Sequence, residues 1–163
     1  MAINNNTKNI IDKFSKVRVY KEKGKFFLHK PLLLLYALGR CYQNRERLMP
    51  FSEVDEYLYR SFEIFYPEGN EFRNTHYPFG KLENDEIWEV VGSKSLSRTS
   101  VGHLFRGELF DKNVHGGFTQ EIYSQLVGNK DLIAEIANII IDMYLNPQRR
   151  NEVLGFFGIV QGK

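Results

Sequence analysis

The stretch HKPLLLLYAL at residues 29–38 decides the fold of this chain. Its proline has a fixed φ and no N–H, which suit the first position of a helix, so we expect a helix to begin at Pro31. The residues that follow are apolar nearly all round, as in a helix that is buried on every side. The sequence therefore predicts a central core helix with His29 and Lys30 at its entrance.

The entrance of this helix combines several features that suit a phosphate group. The unpaired amides of a helix N-terminus, the positive end of the helix dipole, the imidazole of His29 and the ammonium of Lys30 converge there. The same groups have an ordinary structural use, in which His29 caps the helix and Lys30 is solvated. The tripeptide alone leaves both interpretations open.

Further helices and a small sheet are expected on both sides of the core helix. Upstream, Thr7 caps an amphipathic helix of about ten residues, and residues 18–28 form a basic loop or extended arm. Downstream, Ser52 begins a helix through about Phe65, and residues 77–91 form a β-hairpin that turns at residues 84–85. The remaining expected elements are a helix over about residues 100–110, a turn at Gly116-Gly117, a helix capped by Thr119 and a hydrophobic helix over about residues 131–145.

These elements predict an α+β fold, mainly helical, in a single domain of residues 1–163 with its core at about residues 7–146. The order of helices followed by a small hairpin resembles a winged helix. The content of 42% hydrophobic and 14% aromatic residues is sufficient for one such core.

Charge is distributed unevenly, although the net charge of the 163 residues is only +2. Residues 1–30 hold eight Lys and Arg against two acids, whereas residues 53–89 hold ten acids against three bases. Acidic residues repel a phosphate backbone, so only the basic segment is a candidate for binding nucleic acid. On the arm, the candidate DNA-binding residues are Lys21, Lys23 and Lys25. The alternative is that they belong to a solvated lysine-rich loop with no binding role.

The sequence lacks the motifs of catalysis and of metal binding. Cys41 lies in the apolar helix, where a buried free thiol is expected, and no Gly-x-Ser-x-Gly elbow occurs. The four histidines have no metal-motif spacing and no cysteine neighbours. We therefore expect neither an enzyme nor a cofactor in this chain. The apolar runs are too short to span a bilayer and the N-terminus is unlike a signal peptide, which predicts a cytoplasmic protein without a membrane role.

Three separated motifs occur together, namely FLHKPLLLL at residues 27–35, LMPFSEV at residues 48–54 and HYPFGKL at residues 76–82, the last followed by IWEV. Over roughly residues 15–145 they resemble the sulfur-binding domain of phosphorothioate-dependent, type IV, McrA-like HNH restriction endonucleases. The resemblance implies that the chain binds double-stranded DNA in which sulfur replaces a non-bridging phosphate oxygen, as part of bacterial defence. It also implies that a separate HNH nuclease domain of the same protein cuts the DNA.

The sulfur pocket implied by this resemblance is lined by Tyr77, Pro78, His29 and the aliphatic stem of Lys81. Some members place a small apolar residue where Lys81 stands, so its stem would line the pocket while its ammonium reaches a phosphate. An ordinary phosphate oxygen against the apolar ring of Pro78 would lose water without gaining a partner, at a cost of about 1–3 kcal/mol. Without the resemblance, Tyr77-Pro78 has an ordinary use as the start of an edge strand.

The resemblance places the remaining DNA contacts at the helix entrance and in the loop after the predicted hairpin. His29 and Lys30 would hold backbone phosphates, and Ser95 and Arg98 would lie near the modification. Arg106 stays open as the alternative to Arg98, because the length of this loop varies. The competing functions are a winged-helix-like domain that binds unmodified DNA, a protein-interaction module and, least favoured, a complete nuclease.

Overall fold

In the computed structural model, which describes residues 5–69 and 73–160, the apolar stretch forms helix α2 over His29–Tyr42. Every residue from 31 to 41 of this helix is buried, which confirms the predicted core helix and the buried thiol of Cys41. The helix begins at His29, before Pro31. Pro31 is thus the third residue, where a helix N–H still has no intrahelical acceptor, so the ring is accommodated without a lost bond.

Helices α1 to α8 and five short strands are found in the described residues. The helices are α1 (Asn5–Ser15), α2 (His29–Tyr42), α3 (Phe51–Phe65), α4 (His76–Lys81), α5 (Arg106–Asp111), α6 (Gln120–Leu126), α7 (Lys130–Tyr144) and α8 (Arg150–Phe156). The strands are β1 (Lys21–Glu22), β2 (Lys25–Phe26), β3 (Met49–Pro50), β4 (Trp88–Val90) and β5 (His115–Phe118). Single 3-10 turns cover Pro67–Gly69, Leu82–Asp85, Ser93–Ser95 and Pro147–Arg149.

The strands form two small antiparallel sheets. Strands β1 and β2 make a hairpin from the basic arm, and β5 lies between β3 and β4 in the second sheet, with Trp88 opposite Phe118. The predicted turn at Gly116-Gly117 is wrong, since both residues lie inside β5. A Cβ at Gly116 would meet the ring of Phe79, and one at Gly117 would meet the backbone of Arg47, so the glycines permit close packing.

The hairpin predicted over residues 77–91 is also wrong. Its first half is the helix α4, and its second half, β4, pairs with β5 instead. The apolar spacing of the buried Phe79 and Leu82 is helical, and Pro78 is the third residue of α4, where its missing N–H costs no bond. The mainly helical α+β class is confirmed, whereas the winged-helix-like arrangement is not.

The C-terminal half contains both confirmed and corrected elements. Thr119 caps α6 by accepting a hydrogen bond from the N–H of Ile122, and the hydrophobic helix appears as α7, as predicted. The helix expected over residues 100–110 is confined to α5, because the residues before it form a tight loop. The predicted cap at Ser52 is not found, since α3 begins at Phe51 without a side-chain cap.

The residues after α7 are part of the same core. Val153, Phe157 and Ile159 are buried and belong to the apolar cluster that contains α2. Trp88 lies in this cluster as well. No helix within residues 5–69 and 73–160 has both the length and the apolar character needed to cross a membrane.

Candidate nucleic-acid interface

Tyr77 and Pro78 lie in the first turn of α4 and differ in exposure. Pro78 is buried, whereas Tyr77 is partly exposed. The ring of Tyr77 stacks on His103, with the ring centroids 3.7 Å apart and the planes at 11°, and the ring of His76 meets it edge-on at 4.7 Å. The ring of Pro78 is therefore not exposed to a ligand, whereas part of the Tyr77 side chain is.

Both histidines beside Tyr77 are held in the neutral form. Burial lowers the pKa of His76 to about 4, with a smaller contribution from the positive charge of Arg106. Burial and the ammonium of Lys81 lower the pKa of His103 as well. The aromatic cluster around Tyr77 is thus uncharged near neutral pH, which suits a site for a polarizable, weakly hydrogen-bonding atom.

Lys81 and Arg98 close a tight loop next to this cluster, which we call the clamped loop, residues 98–104. The ammonium of Lys81 donates to the carbonyl of Val101 at 2.6 Å. The guanidinium of Arg98 donates to the carbonyl of Gly102 at 3.1 Å and binds the carboxylate of Glu83 at 3.0 Å. Gly102 has a φ of +87°, so a side chain here would be strained and would meet the Lys81 ammonium.

Arg106 is bound to a buried carboxylate on α3. Its guanidinium holds both oxygens of Asp55, with one N–O distance of 2.8 Å, and Arg73 and the hydroxyl of Thr75 donate to the same carboxylate. Burial would raise the pKa of Asp55, but the hydrogen bonds from Arg106, Arg73 and Thr75 outweigh it and hold the pKa at about 2. Two guanidinium groups on one carboxylate leave a net positive charge at the partly exposed edge of the cluster.

The sequence predicts two basic groups at the helix entrance, His29 and Lys30, and the structure differs from this prediction. The ammonium of Lys30 binds Asp85 at 2.6 Å, and this carboxylate, only 1% exposed, also accepts a hydrogen bond from the N–H of Arg18. His29 packs edge-on against Phe62 and Tyr66, and burial lowers its pKa to about 4. The expected charge is therefore absent from His29 near neutral pH, and on Lys30 it is paired.

The basic arm is a hairpin with exposed lysines. Lys21, Lys23 and Lys25 are all exposed on or between β1 and β2, and none of them forms an ion pair within the described residues. Phe26 anchors the hairpin by an edge contact to the ring of Tyr144, 4.9 Å between centroids. The neighbouring Tyr20 is largely exposed. The three lysines thus differ from Lys30, Arg98 and Arg106, each of which binds a carboxylate.

Ser95 lies apart from the clamped loop in a short 3-10 turn. Its hydroxyl donates to the carbonyl of Gly92 at 2.8 Å, and the residue is exposed. The clamped loop thus links Tyr77, Lys81 and Arg98 indirectly, because Tyr77 contacts His103, Lys81 contacts Val101 and Arg98 contacts Gly102. Among the described residues, no hydrogen bond, ion pair or ring contact joins Ser95 to these three.

Several residues of the site were missed by sequence analysis, above all the acids that bind the cations. Asp55 lies 51 residues from Arg106, and Glu83 lies 15 residues from Arg98. The available signal was the position of Asp55 on the apolar face of α3, beside Val54 and Leu58, where a buried acid requires a cation. His103 had no signal, since its stack on Tyr77 depends on the clamped loop.

The exposed cations beside an uncharged aromatic cluster are the kind of groups that a DNA-recognition domain presents to a phosphate backbone. No group of three or more His, Cys, Asp or Glu that could hold a metal ion occurs in the described part of the chain. Residues 7–161 match the model of a protein family described as ScoMcrA-like, DNA sulfur-binding domain. The match covers nearly the whole chain, and the chain belongs to this family. None of the curated proteins matches it.

The fold is similar to that of several solved structures, among them structures of ScoMcrA and SprMcrA. The sulfur-binding domain of ScoMcrA complexed with phosphorothioated DNA has a TM-score of 0.81 at 25% identity, over 91% of this chain and 94% of that chain. The type IV phosphorothioation-dependent restriction endonuclease ScoMcrA has a TM-score of 0.80 at 26% identity, over 91% of this chain and 32% of that one. This chain therefore spans about a third of that endonuclease. The sulfur-binding domain of SprMcrA complexed with phosphorothioated DNA, with a TM-score of 0.74 at 17% identity over 94% of this chain and 96% of that chain, shares the fold.

Proposed function

We propose that this chain binds double-stranded DNA carrying a phosphorothioate and serves as the recognition domain of a modification-dependent restriction system. The observation that carries the proposal is the family match over residues 7–161. The likeness to the sulfur-binding domain of ScoMcrA, solved with phosphorothioated DNA, supports it. The ScoMcrA protein of which this chain spans about a third is a type IV phosphorothioation-dependent restriction endonuclease. On the family resemblance, we extend the proposal to cutting by a linked HNH nuclease domain.

The sulfur, in this proposal, sits against Tyr77. The buried Pro78 supports Tyr77 from behind, and the stem of Lys81 lines one side of the pocket. The neutral imidazole of His29 adds an apolar surface rather than a phosphate contact. The partly exposed ring of Tyr77, fixed by its stack on His103, supports this assignment. The stem of Lys81 is held in place because its ammonium is bound to the carbonyl of Val101.

The phosphates on either side of the sulfur would be held by cations of two kinds. Lys21, Lys23 and Lys25 present unpaired charges on the exposed hairpin, which attract the backbone over several phosphates. Arg98 and Arg106 are oriented by Glu83 and Asp55 and keep further N–H donors for a phosphate oxygen. Two further contacts complete the proposal, one from the exposed hydroxyl of Ser95 and one from the Lys30 ammonium, which keeps donors beyond its bond to Asp85.

The experiment is a comparison of affinity for duplexes that are identical except for one sulfur of defined stereochemistry. We expect the sulfur-containing duplex to bind about 5- to 150-fold more tightly, which corresponds to the cost of about 1–3 kcal/mol for seating an oxygen without a hydrogen-bond partner. The duplex with the opposite stereochemistry is the matched control, because it carries the same atoms and directs the sulfur elsewhere.

The outcomes separate the candidate functions. Equal affinity for both duplexes, with clear dependence on base sequence, would refute the proposal and favour a domain that reads unmodified DNA. Absence of any salt-sensitive DNA binding would favour a protein-interaction module, since phosphate contacts always release counterions.

A further inference from the structure

The clamped loop carries an exposed apolar side chain at its tip. Val101 is 66% exposed and Ser100 beside it is exposed as well. Single exposed valines are common, and Val160 of this chain is 64% exposed. Val101 is distinguished by its loop, which several hydrogen bonds hold in one conformation.

The tip is fixed by bonds from within the loop and from outside it. The N–H of Thr99 donates to the carbonyl of His103 at 2.8 Å, and the N–H of Gly102 donates to the carbonyl of Thr99 at 2.9 Å. Lys81 and Arg98 add hydrogen bonds to the consecutive carbonyls of Val101 and Gly102. A loop that is already ordered loses little conformational entropy when it binds, so its contacts contribute more fully to affinity.

The tip also lies next to the proposed sulfur seat. His103, inside the clamped loop, stacks directly on Tyr77, and the ammonium of Lys81 contacts the carbonyl of Val101. A phosphorothioate seated at Tyr77 would therefore bring the neighbouring base pairs towards the tip. Because the phosphate carries no sequence information, any base preference must come from such a neighbouring element.

The chemistry of the tip indicates what it would contact. Thymine presents an apolar C5-methyl group in the major groove, and apolar side chains are its usual partners. We propose that Val101 reads the methyl group of a thymine beside the phosphorothioate and that Ser100 hydrogen-bonds an adjacent base edge. This inference rests on the proposed function, since it takes the position of the DNA from the sulfur seat.

The experiment uses a panel of phosphorothioate duplexes in which the bases flanking the sulfur are varied and each flanking thymine is replaced in turn by deoxyuridine. The replacement removes only the methyl group. We expect wild-type affinity to fall about fourfold at one position, which corresponds to about one buried methyl group. V101A should show no loss from the same replacement and should keep its preference for sulfur over oxygen. V160A is the matched control, because it removes the same atoms from an equally exposed valine outside the site.

Two results would overturn the inference. One is a V101A protein that still distinguishes thymine from deoxyuridine as the wild type does. The other is a wild-type protein for which no methyl group near the sulfur matters. Failure of the proposed function would look different, because the wild type would then bind duplexes with sulfur and with oxygen equally well, whatever the bases.

Discussion

Replacing Asp55 by Asn tests the electrostatic core of the site. The carboxylate is 3% exposed at its side chain and accepts hydrogen bonds from Arg73, Thr75 and Arg106. An Asn side chain has nearly the same shape, but it has no negative charge and only one acceptor oxygen. Two guanidinium groups would then face each other without the charge that holds them together.

The size of the effect follows from the pKa of Asp55. A pKa of about 2 in the folded protein, against the usual value of 3.8, means that the ionised carboxylate stabilises the fold by about 2 kcal/mol above pH 4. Breaking a fully buried ion pair costs about 3–5 kcal/mol, but water can reach both arginines here. We therefore expect Asp55→Asn to lower the free energy of unfolding by about 2–3 kcal/mol, measured by urea denaturation at pH 7.

The pH dependence provides a second measurement of the same interaction. Because the folded-state pKa is depressed, the stabilisation is present above the unfolded pKa and is lost as pH falls towards the folded value. The difference between wild type and Asp55→Asn should shrink by about half between pH 5 and pH 3. Asp142→Asn is the control, because Asp142 also binds an arginine, Arg150, but is 58% exposed and should contribute under about 1 kcal/mol. An Asp55 effect no larger than that of Asp142, or one independent of pH, would refute the reasoning.

Three further predictions concern the remaining cations and His29. Replacing Lys21, Lys23 and Lys25 by Ala should weaken the binding of duplexes with and without sulfur equally. The slope of log affinity against log salt concentration should fall by about one per lost phosphate contact. An unchanged slope would show that the hairpin is not part of the DNA interface. His29→Phe should flatten the loss of stability between pH 6.5 and 4 seen by urea denaturation, because the unfolded imidazole takes up a proton that the buried one, with a pKa of about 4, does not. An unaltered pH profile would show that His29 does not titrate as proposed. Lys81→Met keeps an apolar stem but removes the hydrogen bond to Val101, so the amides of the clamped loop should exchange hydrogen faster than in the wild type. Equal exchange rates in the two proteins would show that the ammonium does not hold the loop.

Sequence patterns predicted the elements whose burial follows a local period. The helix α2, the Thr119 cap and α7 were recognised because apolar spacing and capping residues are properties of neighbouring positions. The region 77–91 was assigned wrongly because a short apolar run fits a strand and a helix equally well. Contacts of Phe79 with residues far along the chain, such as Gly116 and Phe51, favour the helix over the strand.

The charge pattern shows the same limit of local reasoning. The acidic segment of residues 53–89 was expected to lie away from the nucleic acid, whereas three of its acids bind cations of the predicted site. Asp85 binds Lys30, Glu83 binds Arg98 and Asp55 binds Arg106. Segment charge therefore did not indicate the charge of a surface, because these pairs join residues 15 to 55 positions apart.

Because the arginines have these acidic partners, one set of groups would supply the overall affinity for DNA and another the preference for sulfur over oxygen. A cation already bound to a carboxylate attracts a phosphate less strongly than a free one, so Arg98 and Arg106 contribute more to geometry than to long-range attraction. The attraction then depends mainly on the hairpin lysines, whose contacts salt weakens. Binding to unmodified DNA should accordingly be weak at physiological salt. The uncharged aromatic rings at Tyr77 would then add the energy that makes binding depend on sulfur.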